Sequence, residues 1–434
     1  MAVALPRRFY SLLWVAVLLA LVVFFVFLRE DTWSSIPRPP SGWKIPFTTD
    51  DGVLSSWMGN NKKAPAKDPN EPLRIVLTES SGTHDEVAAA LMHAFGGQEN
   101  SQLDVFFANQ RFRMQDIMGN FSLPANITVN KWDKFASFVE ENPPHILVST
   151  TCEFDLDRGA EPISASTHLF CTIHHADRWA QGKYVQAVRS FVEHQRVDFV
   201  GLSQHTVDFF LNDTTPKWHS AANVTTRVIP PVFPVQIPDP DLQPGISLSL
   251  QGDYSSGRRD YNGIFNHLGS VVRKAGDEAE GHSPKNVSLH VIGHGTPPEV
   301  PDHVKDHVFF DQGLSYPDFY TLLSKSFALL PAFASDTYFD RKASSTIPAS
   351  LIAGAPIVAT EELLKAYSYM PREATWVARP GEGEMDVIER VIDDREGFTK
   401  RRQAVRDLTK KLLDDNHANT KAWIEEAFER YKNN

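Results

Sequence analysis

Three adjacent hydroxyl residues, Ser344, Ser345 and Thr346, stand where a helix would begin, with Pro348 in its first turn. Hydroxyls placed there converge with backbone N–H groups that lack an intrahelical acceptor, at the end of the helix dipole that favours negative charge. The spacing therefore predicts a phosphate site. A second constellation, His174, His175 and Asp177, follows the apolar run Leu169–Ile173. An imidazole titrating near neutrality can take up a proton or hold a hydroxyl, and a neighbouring carboxylate can orient it. His84 follows another apolar run, Arg74–Thr78, with Glu79 and Glu86 close in sequence. Each group has a plainer reading too: helix capping for the hydroxyls, surface hydrogen bonds for the histidines, a loop carboxylate for Glu79 and a helix-start carboxylate for Glu86. Metal chemistry has thin support. Asp-x-Asp occurs at Asp155/Asp157 and Asp239/Asp241, but the aspartate content makes such pairs common by chance. The 16 histidines show no zinc spacing with the 2 cysteines. No metal site is expected, and no glycine-rich triphosphate loop is present.

Positioning these residues requires strands that end just before them. The stretch Phe327–Thr360 reads as strand, loop, helix, strand: the run Phe327–Leu330 stops at Pro331, and Ala355–Val358 resumes the apolar pattern. Upstream, Arg74–Thr78, Leu103–Ala108, His145–Ser149, Leu169–Ile173 and Val197–Leu202 read as buried strands. Helical spacing falls at Asp85–Phe95, Lys131–Glu141, Tyr184–His194 and Thr206–Leu211. The pattern breaks at Ile229–Gly245, which holds six prolines, and then restarts with strands at Ser247–Leu250, Ser288–Ile292 and Val308–Phe310 and helices at Tyr261–Val272 and Tyr316–Ser324. Helical segments at Gly397–Leu413 and Thr420–Tyr431 close the chain. Alternating strands and helices imply parallel sheets covered on both faces.

With 434 residues, 42% of them hydrophobic, the chain can bury two cores. A formal charge of -11 argues against a general nucleic-acid binder. Phe9–Leu28 carries no charge and is long enough to cross a bilayer, with Arg7 and Arg8 before it and no small-residue cleavage site after it. The expectation is a single-pass type II membrane protein of the Golgi or endoplasmic reticulum, with its C-terminal part lumenal. Sequons at Asn120, Asn126, Asn212, Asn223 and Asn286, together with Cys152 and Cys171, agree with that compartment, whether those cysteines pair or remain buried thiols. The organisation reads as a cytosolic tail (1–8), a signal anchor (9–28), a proline-rich stem (29–72), a first lobe (73–233), a hinge (234–246), a second lobe (247–415) and a terminal helix (416–434).

The order of these pieces resembles the two-lobed GT-B glycosyltransferases, particularly the large retaining group that includes sucrose and mannosyl transferases. The resemblance rests on a glycine-and-acid loop after the first strand (Gly82, Glu86) and on Val228-Ile-Pro230 at the hinge. It continues with Gly252, Arg258 and Arg259 opening the second lobe, Ile292-Gly293-His-Gly295, Leu330-Pro331-Ala332, and Ala353-Gly354-Ala355-Pro356-Ile-Val358. It implies an α/β fold of two Rossmann-like lobes. It also implies a donor site at Gly252, Arg258, Arg259, Gly293, Ser344, Ser345 and Thr346, and an acceptor-side loop at Gly82, His84 and Glu86. Arg258 and Arg259 would grip the diphosphate of a nucleotide sugar, which is a co-substrate rather than a cofactor, and His174 or His175 with Asp177 would serve a glycan or glycoprotein acceptor. Where the family carries a glutamate at each end of the donor loop and helix, this sequence has Arg341 and Ala349; Asp340, one place from the first, is expected to substitute for it as a donor-binding residue. Three functions follow: a glycosyltransferase, a tethered binding protein that keeps the fold without turnover, or a metal-dependent transferase of the other glycosyltransferase fold.

Overall fold

Strand β1 (Leu73–Glu79) is buried along nearly its whole length, and its run of Ile75, Val76 and Leu77 has no polar face, as a central parallel strand requires. A computed structural model describes residues 71–108, 112–156, 167–218, 224–237, 245–276 and 286–433. The expected tail, membrane anchor and nearly all of the stem lie outside the described residues, as do Asn223, Asp157, Asp239 and Asp241. Among the described residues no helix is long and apolar enough to cross a membrane.

Two parallel sheets organise the chain. The first adds β2 (Ser101–Phe107), β3 (Ile127–Lys131), β4 (Ile146–Ser149), β5 (His168–Ile173), β6 (Val197–Gly201) and β7 (Thr225–Val228), in the order β3-β2-β1-β4-β5-β6-β7. The second comprises β8 (Ile246–Gln251), β9 (Val287–Gly293), β10 (Val308–Gln312), β11 (Ala328–Leu329), β12 (Ile357–Ala359) and β13 (Thr375–Val377), in the order β10-β9-β8-β11-β12-β13. In each sheet the chain winds outward from its first strand, returns, and winds the other way. The reversal falls between β1 and β4 in one lobe and between β8 and β11 in the other. In such doubly wound sheets, ligands bind beyond the carboxyl ends of the strands at that reversal. The chain therefore has two opposed switch points.

Residues 229–233, directly after β7, form a buried crossing. Ile229, Val232 and Phe233 are fully buried, and the Ile229 N–H donates to the Gly201 carbonyl (2.9 Å). The helices also depart from expectation. In place of two closing helices, one runs unbroken through Arg395–Asn433. It packs on the second lobe through Val405, then crosses to the first, where Asn416 Nδ2 donates to the Pro230 carbonyl (2.9 Å) and Trp423 and Ile424 join the first core. Arg430 ends this contact by donating to Asp198 (2.6 Å), a carboxylate that also accepts from Arg227 (2.9 Å). The segment from Asp414 to Asn419 is polar but holds no glycine or proline, so nothing stops the helix there. The fold places residues after 415 with the first lobe as much as with the second.

Cys152 and Cys171 form a disulfide with Cα atoms 5.3 Å apart. It ties the short helix Cys152–Asp155, which follows β4, to strand β5.

Candidate functional site

In the second lobe the chain leaves β8 at Gln251 and turns at Gly252, whose φ of +141° suits glycine. A Cβ on Gly293, at the end of neighbouring β9, would meet the Gly252 carbonyl oxygen at 1.9 Å. These two glycines let the loop lie directly on the strand end. The loop then delivers two arginines to different environments. Arg258 is half exposed and pairs with Asp253 (3.1 Å). Arg259 is 4% exposed, donates to the Gln251 carbonyl (3.0 Å) and to Thr346 Oγ1 (2.9 Å), and lies over the Phe333 and Tyr338 rings. Arg259 is thus a strut that holds the loop to the helix Thr346–Ala353, while Arg258 is the arginine free to meet a ligand.

The three hydroxyls divide in the same way. Ser344 and Thr346 are buried. Ser344 Oγ accepts from the Thr346 N–H (3.3 Å), and its own N–H donates to the Tyr367 hydroxyl (2.9 Å). Thr346 Oγ1 reaches the Gln251 side chain at 3.1 Å. Ser345 is exposed at the helix start, within 3.3 Å of that amide. Asp340 pairs with Arg341 (2.6 Å), which reaches Asp177 of the first lobe at 3.9 Å. Beneath the loop, the half-buried Glu384 accepts from the N–H of Ala332 (2.8 Å), a residue with φ +47°. Burial pushes its carboxyl up to about 8.

In the first lobe, the loop after β1 turns on Glu79, whose two oxygens accept from the Gly82 N–H (2.7 Å), the Ser81 N–H (3.1 Å) and the Ser81 hydroxyl. Gly82 has φ +70°, and the carboxylate holds that turn. Burial raises Glu79 to about 7 against these hydrogen bonds. Across the reversal, Asp155 accepts from Thr78 Oγ1 (2.9 Å), the Ser80 N–H (2.8 Å), Ser149 Oγ (2.7 Å) and the Thr151 N–H (3.2 Å). It clasps the two switch-point loops together. Glu153 Oε1 accepts the N–H groups of His174 and His175 (2.9 Å each) and Trp179 Nε1 (3.2 Å), fixing where the chain leaves β5.

Three histidines gather on this frame. The rings of His84 and His174 stack with centroids 3.8 Å apart. His84 Nδ1 lies among Ser81 Oγ (3.1 Å) and Thr151 Oγ1 (3.0 Å), and His174 Nε2 donates to the Thr150 carbonyl (2.8 Å). Burial lowers all three pKa values. His175 falls to about 2, with the nearby charges of Arg178, Lys342 and Arg258 adding to the effect of burial. Arg258 also depresses His84. Because Arg258 and Lys342 belong to the second lobe, this cluster and the loop after β8 face one another across the cleft.

Among the sequence-derived candidates, Gly82, His84, His174, His175, Gly252, Gly293, Arg258, Arg259, Ser344, Ser345 and Thr346 thus lie on the two switch points or the loops that frame them. Besides Arg259, a buried strut rather than a grip on the diphosphate, two stand differently from expectation. Asp177 faces Arg341, not an imidazole, and Glu86 lies inside the helix Asp85–Gly96, half-buried, with its Oε1 accepting from the Tyr320 hydroxyl (2.6 Å). Glu86 therefore joins the lobes rather than lining a ligand loop. The sequence reading passed over Glu153, Lys342 and Arg178, took Glu79 for a plain loop carboxylate, and counted Asp155 only as half of a chance Asp-x-Asp pair. The signal lay in strand order: with β1 and β4 adjacent, the residues following Ser149 face those following Glu79.

No protein-family model matches this sequence, and no curated protein matches it in sequence. Solved structures do match in fold. The structure of Anabaena Alr3699/HepE in complex with UDP-glucose superposes with a TM-score of 0.55 at 12% identity, covering 81% of this chain and 99% of that one. The same protein in complex with UDP and glucose gives 0.54 at 12% identity over 82% and 100%. Sucrose-phosphate synthase from Thermosynechococcus elongatus gives 0.51 at 12% identity over 82% and 99%. The likeness is one of fold: two Rossmann-like lobes in the GT-B arrangement, and not the fold in which an Asp-x-Asp pair holds a metal.

Proposed function

We propose that this chain is a glycosyltransferase that moves a sugar from a nucleotide-sugar donor to a glycan or glycoprotein acceptor. One observation carries the reading: two switch points face each other, one bringing Arg258 and an exposed helix start at Ser345, the other a cluster of neutral imidazoles. A diphosphate leaving group needs cationic and N–H donors where its charge grows, and the acceptor hydroxyl needs a proton acceptor. Arg258 and the start of the helix Thr346–Ala353 serve the first need, with Arg259 holding them in place. His175, whose ring has no hydrogen-bond partner among the described residues, serves the second. An anion beside Arg258 would offset one of the charges that add to burial in depressing His175. The fold supports the reading, since it is shared with a protein whose structure holds UDP-glucose.

The reading extends to a type II anchor at Phe9–Leu28 with this unit in the secretory lumen, a setting that suits the Cys152–Cys171 disulfide. The experiment uses the full chain in detergent, with a panel of nucleotide sugars and both donor hydrolysis and melting temperature as readouts. Turnover of at least one donor, lost in Arg258→Ala, is expected. If no donor is hydrolysed and none shifts the melting temperature, the proposal fails. Arg341 and Ala349 favour a second reading, a binding protein of the same fold, for which a nucleotide would raise the melting temperature without turnover.

A further inference from the structure

The cleft holds more positive charge than the donor-side loop accounts for. The Arg341–Asp177 contact (3.9 Å) brings the neighbours of these two residues in sequence, Lys342 of the second lobe and Arg178 of the first, to the same part of the cleft; Arg178, Lys342 and Arg258 act on His175, and Arg178, Arg258 and Arg341 act on Lys342. Arg258 is matched by Asp253 (3.1 Å), and Arg341 by Asp340 (2.6 Å) and Asp177 (3.9 Å). Among the described residues no carboxylate lies within ion-pair distance of Lys342 or Arg178. Lys342 is half-buried, anchored through its carbonyl, which lies 3.0 Å from His205 Nε2 of the first lobe. Arg178 is half-buried with its guanidinium 5.9 Å from the Phe154 ring centroid. Burial pushes the Lys342 ammonium down, and Arg178, Arg258 and Arg341 push it further, against the opposing pull of Asp177. Like charges held together in a part-buried site are destabilising unless an anion joins them. The diphosphate belongs with Arg258 and the helix start on the second lobe. Arg178 reaches in from the opposite lobe, on the side of the histidines where sugar and acceptor would meet.

We propose that Arg178 and Lys342, one from each lobe, receive a second anion distinct from the diphosphate: the carboxylate of a hexuronic acid carried by the donor sugar or by the acceptor. The pair gives the sugar subsite a preference for an acidic sugar over its neutral counterpart, and the bound carboxylate bridges the lobes. This inference rests on the glycosyltransferase reading.

The test is titration calorimetry on the full chain in detergent. UDP reads the diphosphate site. UDP-glucuronic acid against UDP-glucose reads the donor arm, and methyl glucuronide against methyl glucoside, each with UDP present, reads the acceptor arm. The expected result is at least a tenfold preference for the uronic acid in one arm. Lys342→Met and Arg178→Met should each abolish that preference while UDP affinity stays within twofold. Wild-type protein that binds UDP but prefers the uronic acid in neither arm overturns the inference and leaves the transferase reading standing. Variants that lose UDP binding as much as uronate binding also overturn it, by assigning both cations to the diphosphate. Failure of wild type to bind UDP or any nucleotide sugar removes the transferase reading, and this inference falls with it.

Discussion

Replacing Gly293 by alanine tests the second-lobe site at its tightest point. The new Cβ would stand 1.9 Å from the Gly252 carbonyl oxygen and 3.2 Å from the Tyr254 ring. A carbon and a carbonyl oxygen rest at about 3.3 Å, so the loop must lift by roughly 1.4 Å. Gly252, Tyr254 and Arg258 would lift with it, and the Arg259 bond to the Gln251 carbonyl would stretch. Overpacking of this kind costs about 1–3 kcal/mol, a loss of at least about 2 °C in melting temperature for a lobe of this size. The functional loss should exceed the stability loss, because a displacement of about 1 Å in a positioning loop can cost on the order of 100-fold in rate. Gly257→Ala is the matched control: it lies in the same loop, its added Cβ meets nothing nearer than Ser255 Oγ at 3.8 Å, and it should change stability by less than about 0.5 kcal/mol. The assay pairs differential scanning fluorimetry with UDP titration. A Gly293→Ala protein with wild-type melting temperature and wild-type UDP affinity would refute the packing argument and the placement of the diphosphate together.

Other consequences follow from the same geometry. Glu384 keeps its proton to about 8 when folded but loses it near 4.5 when unfolded, so the folded chain binds more protons between those values and stability falls as pH rises through that window. Glu384→Gln should flatten that fall by up to about 1.4 kcal/mol per pH unit in urea melts from pH 5 to 8; parallel curves would contradict the assignment. Cys152→Ser with Cys171→Ser opens a loop of 19 residues and should cost about 3 kcal/mol, seen as the same drop on adding reductant to wild type. Trp423→Ala removes a 7%-exposed ring from the first core and should cost about 3–5 kcal/mol by denaturant titration, whereas a loss below 1 kcal/mol would mean the terminal helix is peripheral.

Much of the architecture was legible because parallel strands are apolar on both faces. β1, β4, β5 and β8 all read as short unbroken runs and all proved central or next to central. β3 did not, since its sequence ITVNK is half polar and it pairs on one side only, as an edge strand. The hydroxyls at the helix start were picked out by spacing and the glycines after β8 and β9 by resemblance, but how the loop's side chains divide between buried and exposed was not legible. That Arg259 is buried and Arg258 is not depends on the Phe333 and Tyr338 rings, which come from a loop more than 70 residues away in the chain. The clasp made by Asp155 and the backbone contacts of Glu153 were invisible for the same reason: a carboxylate that accepts from four groups on two segments has no signature until the strand order is known.

The long helix Arg395–Asn433 has a consequence for biosynthesis. Trp423 and Ile424 complete the core built around β1, yet they leave the ribosome only after the whole second lobe has been made. The lobe that is translated first therefore cannot close until the second has been synthesised, and a nascent chain stalled before Trp423 would present an unfinished apolar surface to whatever chaperones attend it.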